Sequence, residues 1–140
     1  MRVRIRIKGS RTSARHGASA NCLRTAPRSG VRGSAGLDPA FPATLSPSVI
    51  NGLLRGRLGY DGVVVTDDLQ MDAIAAEYTL EEVVLRAIGA GADILLFGNN
   101  LEYDPAIVAK VQAVIVRAVE DGTISRARLE ASWRRILKLK

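Results

Sequence analysis

Two short apolar runs, GVVVTD at residues 62–67 and ADILLFG at residues 92–98, constrain this 140-residue chain more than any other feature. Neither alternates apolar with polar residues, which is how strands buried on both faces of a parallel sheet read. Between them lies TLEEVVLRAIGAG, in which Thr79 and Glu82 have the spacing of a helix capping box. Leu80, Val84, Ala87 and Ile88 fall on one face of that helix. Strand, helix, strand makes a βαβ unit, whose parallel strands are joined by a right-handed crossover. Two strands do not form a stable sheet by themselves, because each needs neighbours at its edges. The chain is therefore either part of a larger α/β domain or assembles with copies of itself or another chain.

The remaining elements are equally well punctuated. LSPSVINGLLRGRLG predicts a helix with Ser46 as N-cap and Pro47 at its first position. Leu45 and Ile50 can staple its start, Ile50, Leu53, Leu54 and Leu58 make its apolar face, and Gly59 ends it. DPAIVAKVQAVIVRAVEDG predicts a helix with Asp104 as cap, Pro105 at its start and Gly122 past its end. ISRARLEASWRRILKLK predicts another, capped by Ser125, stapled by Ile124 and Leu129, with Leu129, Trp133 and Ile136 as its buried stripe. Trp133 at that spacing reads as core rather than as a sugar-stacking platform.

Residues 1–36 have a different composition. The first forty residues hold nine Lys/Arg against one acid, Asp38, while residues 41–140 hold eleven against thirteen. The high isoelectric point thus belongs to a basic arm, and the rest is a mildly acidic domain. Only RVRIRIK in the arm has strand-like alternation. The arm reads as a disordered basic tail, an organelle-targeting segment, or sequence foreign to the fold. Nucleic-acid binding is the weaker reading, since no aromatic residue is interleaved to stack on bases. One cysteine, Cys22, allows no intrachain disulfide or CxxC pair, and one histidine, His16, allows no histidine metal cluster. No apolar run approaches the roughly 18 residues of a membrane span. The N-terminus lacks the apolar core of a secretory signal, so the expected location is cytoplasmic, with export open to a longer form. No cofactor and no metal are expected.

The run GVVVTDDLQM ends in two carboxylates, Asp67 and Asp68. In parallel α/β folds the C-terminal ends of strands carry the active site, because the βα loops converge there. An aspartate after a strand can equally cap the next turn.

The segment PATLSPSVINGLLRGRLGYDGVVVTDDLQMDAIAA, continued by AIGAGADILLFGN, closely resembles glycoside hydrolase family 3, in its bacterial β-N-acetylhexosaminidase branch. The likeness runs over residues 37–140. It implies a (β/α)8 TIM barrel of roughly 250 residues or more. On that map GVVVTD is the seventh strand and ADILLFG the eighth. The chain is then the C-terminal fragment of the barrel, its last two βα units plus closing helices. The resemblance implies a retaining hydrolase that releases terminal β-linked N-acetylglucosamine through a glycosyl-enzyme intermediate, without a cofactor. The nucleophile carried over is Asp67, the aspartate directly after the Ser/Thr position. Asp68 occupies a variable position and reads as a loop or helix-capping residue. Met71 lines the sugar pocket by the same likeness, with ordinary packing as the alternative.

The family's proton donor resembles a histidine in a K-H-F-P-G-H-G motif upstream of the nucleophile, and no such motif occurs in this sequence. His16, in ARHGAS, does not match it. Without general acid catalysis, worth roughly 10²–10⁴-fold, and without the earlier sugar-binding strands, the chain alone is expected to be inactive. Its expected partners are carbohydrates, N-acetylglucosaminides or muropeptides, once the barrel is completed. Self-association through exposed sheet edges is expected too. The alternative reading is a non-enzymatic α/β fragment whose basic arm binds an anionic partner.

Overall fold

Parallel pairing of the two apolar runs organises the chain. The computed structural model describes residues 37–98 and 103–139; the basic arm, with Cys22, His16 and RVRIRIK, lies outside them. Strand β1 is Val65–Asp68 and strand β2 is Ile94–Leu96, and they pair in parallel. Helix α2, Leu80–Ala90, makes the crossover, and the short α1, Asp72–Ala75, precedes it. Helices α3, Ile107–Glu120, and α4, Arg126–Leu137, follow β2. A 3-10 turn, Ala43–Leu45, and a π-helix, Ser48–Arg57, come before β1.

Where the expected signals are local, the structure carries them. The Thr79–Glu82 capping box closes in both directions, and Ser125 Oγ accepts from Arg128 N at 3.2 Å. Gly59 and Gly122 adopt φ of 66° and 81°, the left-handed conformation that lets a helix end without a Cβ clash. Leu45 and Ile50 are both buried in one cluster, as a staple requires. Helix α2 is buried on two sides. Val83 and Ala87 face a cluster with Leu45, Ile50, Val64 and Ile74, while Val84 and Ile88 face a second with Ala118 and Ile124.

Four expectations are corrected. Ser46 does receive Val49 N on its hydroxyl, but the helix it opens is a π-helix, with Leu58 N donating to Leu53 O five residues back. The wider turn breaks the 3.6-residue stripe, and Leu58 is 68% exposed. Asp104 spends its carboxylate on Ala106 N and Lys110 Nζ, an Asx-type turn, so α3 starts only at Ile107. Asp68 lies inside β1 rather than in the loop beyond it. Trp133 is 58% exposed.

The reason for the last lies in α4. Its inward stripe is polar: Arg128, Ser132 and Arg135, at helical spacing, all turn toward Asp93. The Asp93 side chain has no exposed surface. Arg55 from the π-helix donates to it at 2.7 Å, Ser132 Oγ at 2.6 Å, Arg135 at 3.1 Å and the backbone Val64 N at 3.0 Å. Arg128 stands 3.5 Å away, and also donates to Ile88 O and Ala92 O at the C-terminal end of α2. The π-helix docks on that same end through Asn51, which donates to Gly89 O. Gly91, at φ 114°, is required there, since a Cβ would strike Asn51 and Ile50.

A second knot holds the entry to the fold. Asp38 accepts from the hydroxyls of Ser46 and Ser48 and from the amides of Ala40 and Phe41. Those donors, the Ser46 hydroxyl foremost, lower its pKa to about 2.

Replacing Asp93 with Ala leaves three cations facing a buried void. Its expected cost is about 3 kcal/mol, the low end for breaking a buried pair, because the arginines reach water. Urea unfolding monitored by circular dichroism checks this, with Asp93→Asn expected to cost less because it keeps acceptor capacity. Asp38 titrates near 3.9 when unfolded and lower when folded, so its stabilisation is complete above about pH 4. It is lost as the pH falls toward about 2. Stability measured against pH should therefore fall less steeply below pH 4 in Asp38→Asn than in the parent.

Candidate active site

The opposite ends of β1 and β2 from Asp93 carry the adjacent carboxylates. The register of the pair is irregular: Val65 lies opposite Ile94, and Asp68 opposite Leu96. Thr66 and Asp67 thus face the single residue Leu95, which is the arithmetic of a β-bulge. Bulges leave ladder groups unpaired, and they recur beside active sites, where they re-aim a side chain.

Side chains satisfy what the bulge leaves open. Thr66, nearly fully buried, accepts Leu96 N on its hydroxyl at 2.9 Å. Asp68 Oδ1 accepts Gln70 N at 2.9 Å and Gly98 N at 2.9 Å. Beyond the bulge, Leu69 N donates to Leu96 O at 2.9 Å. Asp67 sits between Thr66 and Asp68, half-buried, with Oδ1 accepting from Asp68 N at 3.0 Å. Met71 is also half-buried, and its carbonyl accepts Ile74 N and Ala75 N to start α1. Asp67, Asp68 and Met71 therefore share one end of the sheet.

Asp68 Oδ1 ties the end of β1 to the chain just past β2 through Gly98 N. Sequence reasoning missed Thr66 and Gly98. The Ser/Thr directly before the aspartate was the available signal for Thr66; Gly98 carried none, because its amide matters only after pairing.

Two grooves lie elsewhere. One, of about 490 Å3, runs between α3 and α4 past Val116, Leu129 and Trp133. The other, of about 270 Å3, is lined by Leu69, Gln70, Asp72 and Tyr78 among others. Neither is lined by Asp67 or Met71. Among the described residues no group of three or more His, Cys, Asp or Glu could hold a metal ion. No helix among them is long and apolar enough to cross a membrane.

Residues 29–139 match the family model for the glycosyl hydrolase family 3 N-terminal domain. A β-N-acetylglucosaminidase/β-glucosidase of Cellulomonas fimi is 35% identical over 100 residues, which are 71% of this chain and 16% of that protein. The β-hexosaminidase LpqI of Mycobacterium tuberculosis is 35% identical over 111 residues, 75% of this chain and 27% of that protein. Among solved structures, a glycoside hydrolase family 3 β-N-acetylglucosaminidase from Paenibacillus superposes with a TM-score of 0.67 at 45% identity. That match covers 74% of this chain and 19% of the other. The chain spans well under a third of the length of each of these relatives.

Proposed function

Since the chain belongs to glycoside hydrolase family 3, we propose that residues 37–140 form the nucleophile-bearing end of a retaining β-N-acetylglucosaminidase barrel. The family's N-terminal domain is of the α/β barrel type. In this reading β1 and β2 are the seventh and eighth strands, and α3 and α4 close the barrel. The observation that carries it is Asp67, held in a bulge at the C-terminal end of a parallel strand, where barrel active sites are built.

The chemistry follows from that placement. Asp67 attacks the anomeric carbon of a terminal β-linked N-acetylglucosamine. The glycosidic bond breaks, and the leaving oxygen takes a proton from an acid supplied by the rest of the barrel. Water then attacks the glycosyl-aspartate from the face the leaving group left, so configuration is retained. Met71, three residues past β1, lines the sugar site. The wall that grips the N-acetyl sugar comes from the earlier strands, as does the proton donor. Substrates are N-acetylglucosaminides, muropeptides included.

Two outcomes test the reading. The 140-residue chain alone should release little nitrophenol from the β-N-acetylglucosaminide. Joined to the upstream part of the Paenibacillus relative, it should turn over, and Asp67→Asn should lower kcat by about 10³-fold or more and abolish trapping by a fluorinated sugar. An active Asp67→Asn chimera, or trapping on another residue, overturns the assignment.

The isolated chain is also proposed to self-associate. Leu96 is 46% exposed at the end of β2, and Leu58, Val116 and Trp133 are more exposed still. The two strands pair only with each other among the described residues, so their outer edges are open to further pairing. Size-exclusion chromatography at rising concentration should show growth in apparent mass. A monodisperse monomer with a sharp thermal transition would count against it.

A further inference from the structure

We propose that Thr66 and Asp68 act as a two-point clamp that positions Asp67. This rests on Asp67 being the nucleophile. The clamp is visible in the pairing. Residues 66 and 68 flank the carboxylate, and each reaches across with a side-chain oxygen, one to β2 and one to the chain just past it. Thr66 Oγ1 takes the amide of Leu96, and Asp68 Oδ1 takes the amide of Gly98. Both contacts are 2.9 Å, well within hydrogen-bond range. The two acceptors are two residues apart in β1, and the two amides are two residues apart along the chain, at the end of β2 and just past it.

The contacts bracket the irregular stretch of the pairing. A regular parallel ladder matches the strands one residue for one. Here β1 carries one residue too many between Val65 and Asp68. An extra residue of this kind re-aims the side chains around it relative to plain strand alternation. The Thr66 hydroxyl and the Asp68 carboxylate pin the residues on both sides of Asp67. Asp68 adds a further restraint, because its own amide donates to Asp67 Oδ1. The same Asp68 oxygen takes Gln70 N, which fixes the turn leading to Met71. What the clamp needs at 66 and 68 is an acceptor of the right length, and at 68 the negative charge is secondary.

The test uses variants that separate acceptor from charge and bulk. In the full 140-residue chain, amide hydrogen exchange reads the clamp directly. Thr66→Val should speed exchange at Leu96 by tenfold or more, and Asp68→Ala should do so at Gly98 and Gln70. Thr66→Ser and Asp68→Asn, which keep the oxygen, should leave those amides near parental rates. In the chimera completed with the Paenibacillus upstream part, Thr66→Val and Asp68→Ala should each lower kcat on the order of 10²-fold, the loss expected from about 1 Å of misplacement. KM should change little, and Thr66→Ser and Asp68→Asn should keep kcat within a few-fold. If Asp68→Ala does not fold, Asp68→Glu carries the test. It keeps charge and acceptor but shifts them by a methylene, and should lower kcat at an unchanged melting temperature.

Parental kcat in Thr66→Val or Asp68→Glu overturns the proposal, as does an Asp68→Asn variant as impaired as Asp68→Ala. Parental amide exchange in Thr66→Val and Asp68→Ala also overturns it. An Asp67→Asn chimera that stays active removes the nucleophile assignment and the clamp's purpose with it. That result is read from Asp67 alone, so the two failures are told apart.

Discussion

A single buried carboxylate, Asp93, ties together segments that are far apart in sequence. It binds the π-helix through Arg55, the start of β1 through Val64 N, and α4 through Ser132 and Arg135. Burial raises its pKa, but the Ser132 hydroxyl, the Val64 amide and the Arg55 and Arg135 charges outweigh that and hold it below the usual carboxylate range. A buried charge survives only when its partners are in place. The dependence runs both ways: Asp93 decides which face α4 turns inward, and so decides that Trp133 is left outside.

Sequence reasoning recovered what is encoded within a few neighbours. The Thr79–Glu82 box, the Ser125 cap and the glycines at 59 and 122 are local devices, each complete within one turn of chain. The βαβ order and parallel pairing followed from two apolar runs with a helix between them. What escaped was encoded at long range. The apolar spacing of Leu129, Trp133 and Ile136 is real, but Arg128, Ser132 and Arg135 have the same helical spacing one residue earlier. Only the partner at Asp93, some forty residues away, decides between the two stripes. The π-helix was hidden for a related reason, since its wider turn is set by docking on Gly89 and Gly91 as well as by its own residues. At the site, the position of Asp67 at a strand end was legible, whereas the bulge was not, because a register exists only once two strands are paired.

The two strands divide their labour along their length. At their N-terminal ends Asp93 gathers the π-helix, the start of β1 and α4 through hydrogen bonds. At their C-terminal ends the Thr66 and Asp68 side chains accept from the backbone amides of Leu96 in β2 and of Gly98 just past it. The first end holds the elements together, and the second, on the proposed reading, places one oxygen atom of Asp67. In barrel folds such a separation lets residues at the catalytic mouth change without removing what holds the strands together.

The stoichiometry at Asp93 has a consequence for how this protein responds to its solvent. Three guanidinium groups crowd one buried carboxylate, with the exposed Asp61 as a second acidic partner of Arg135, so the cluster keeps a surplus of positive charge. Burial first, then the nearby Arg135 and Arg55 charges, depress the Arg128 pKa against the opposing pull of Asp93. Ordinary surface ion pairs weaken as ionic strength rises. Here the attractive partner is sealed from water, while the arginine side chains keep 13–21% of their surface exposed. Counterions therefore reach the mutual repulsion of the cations more readily than the attraction that binds them. Moderate salt is thus expected to weaken the buried part of this cluster less than it weakens an exposed ion pair.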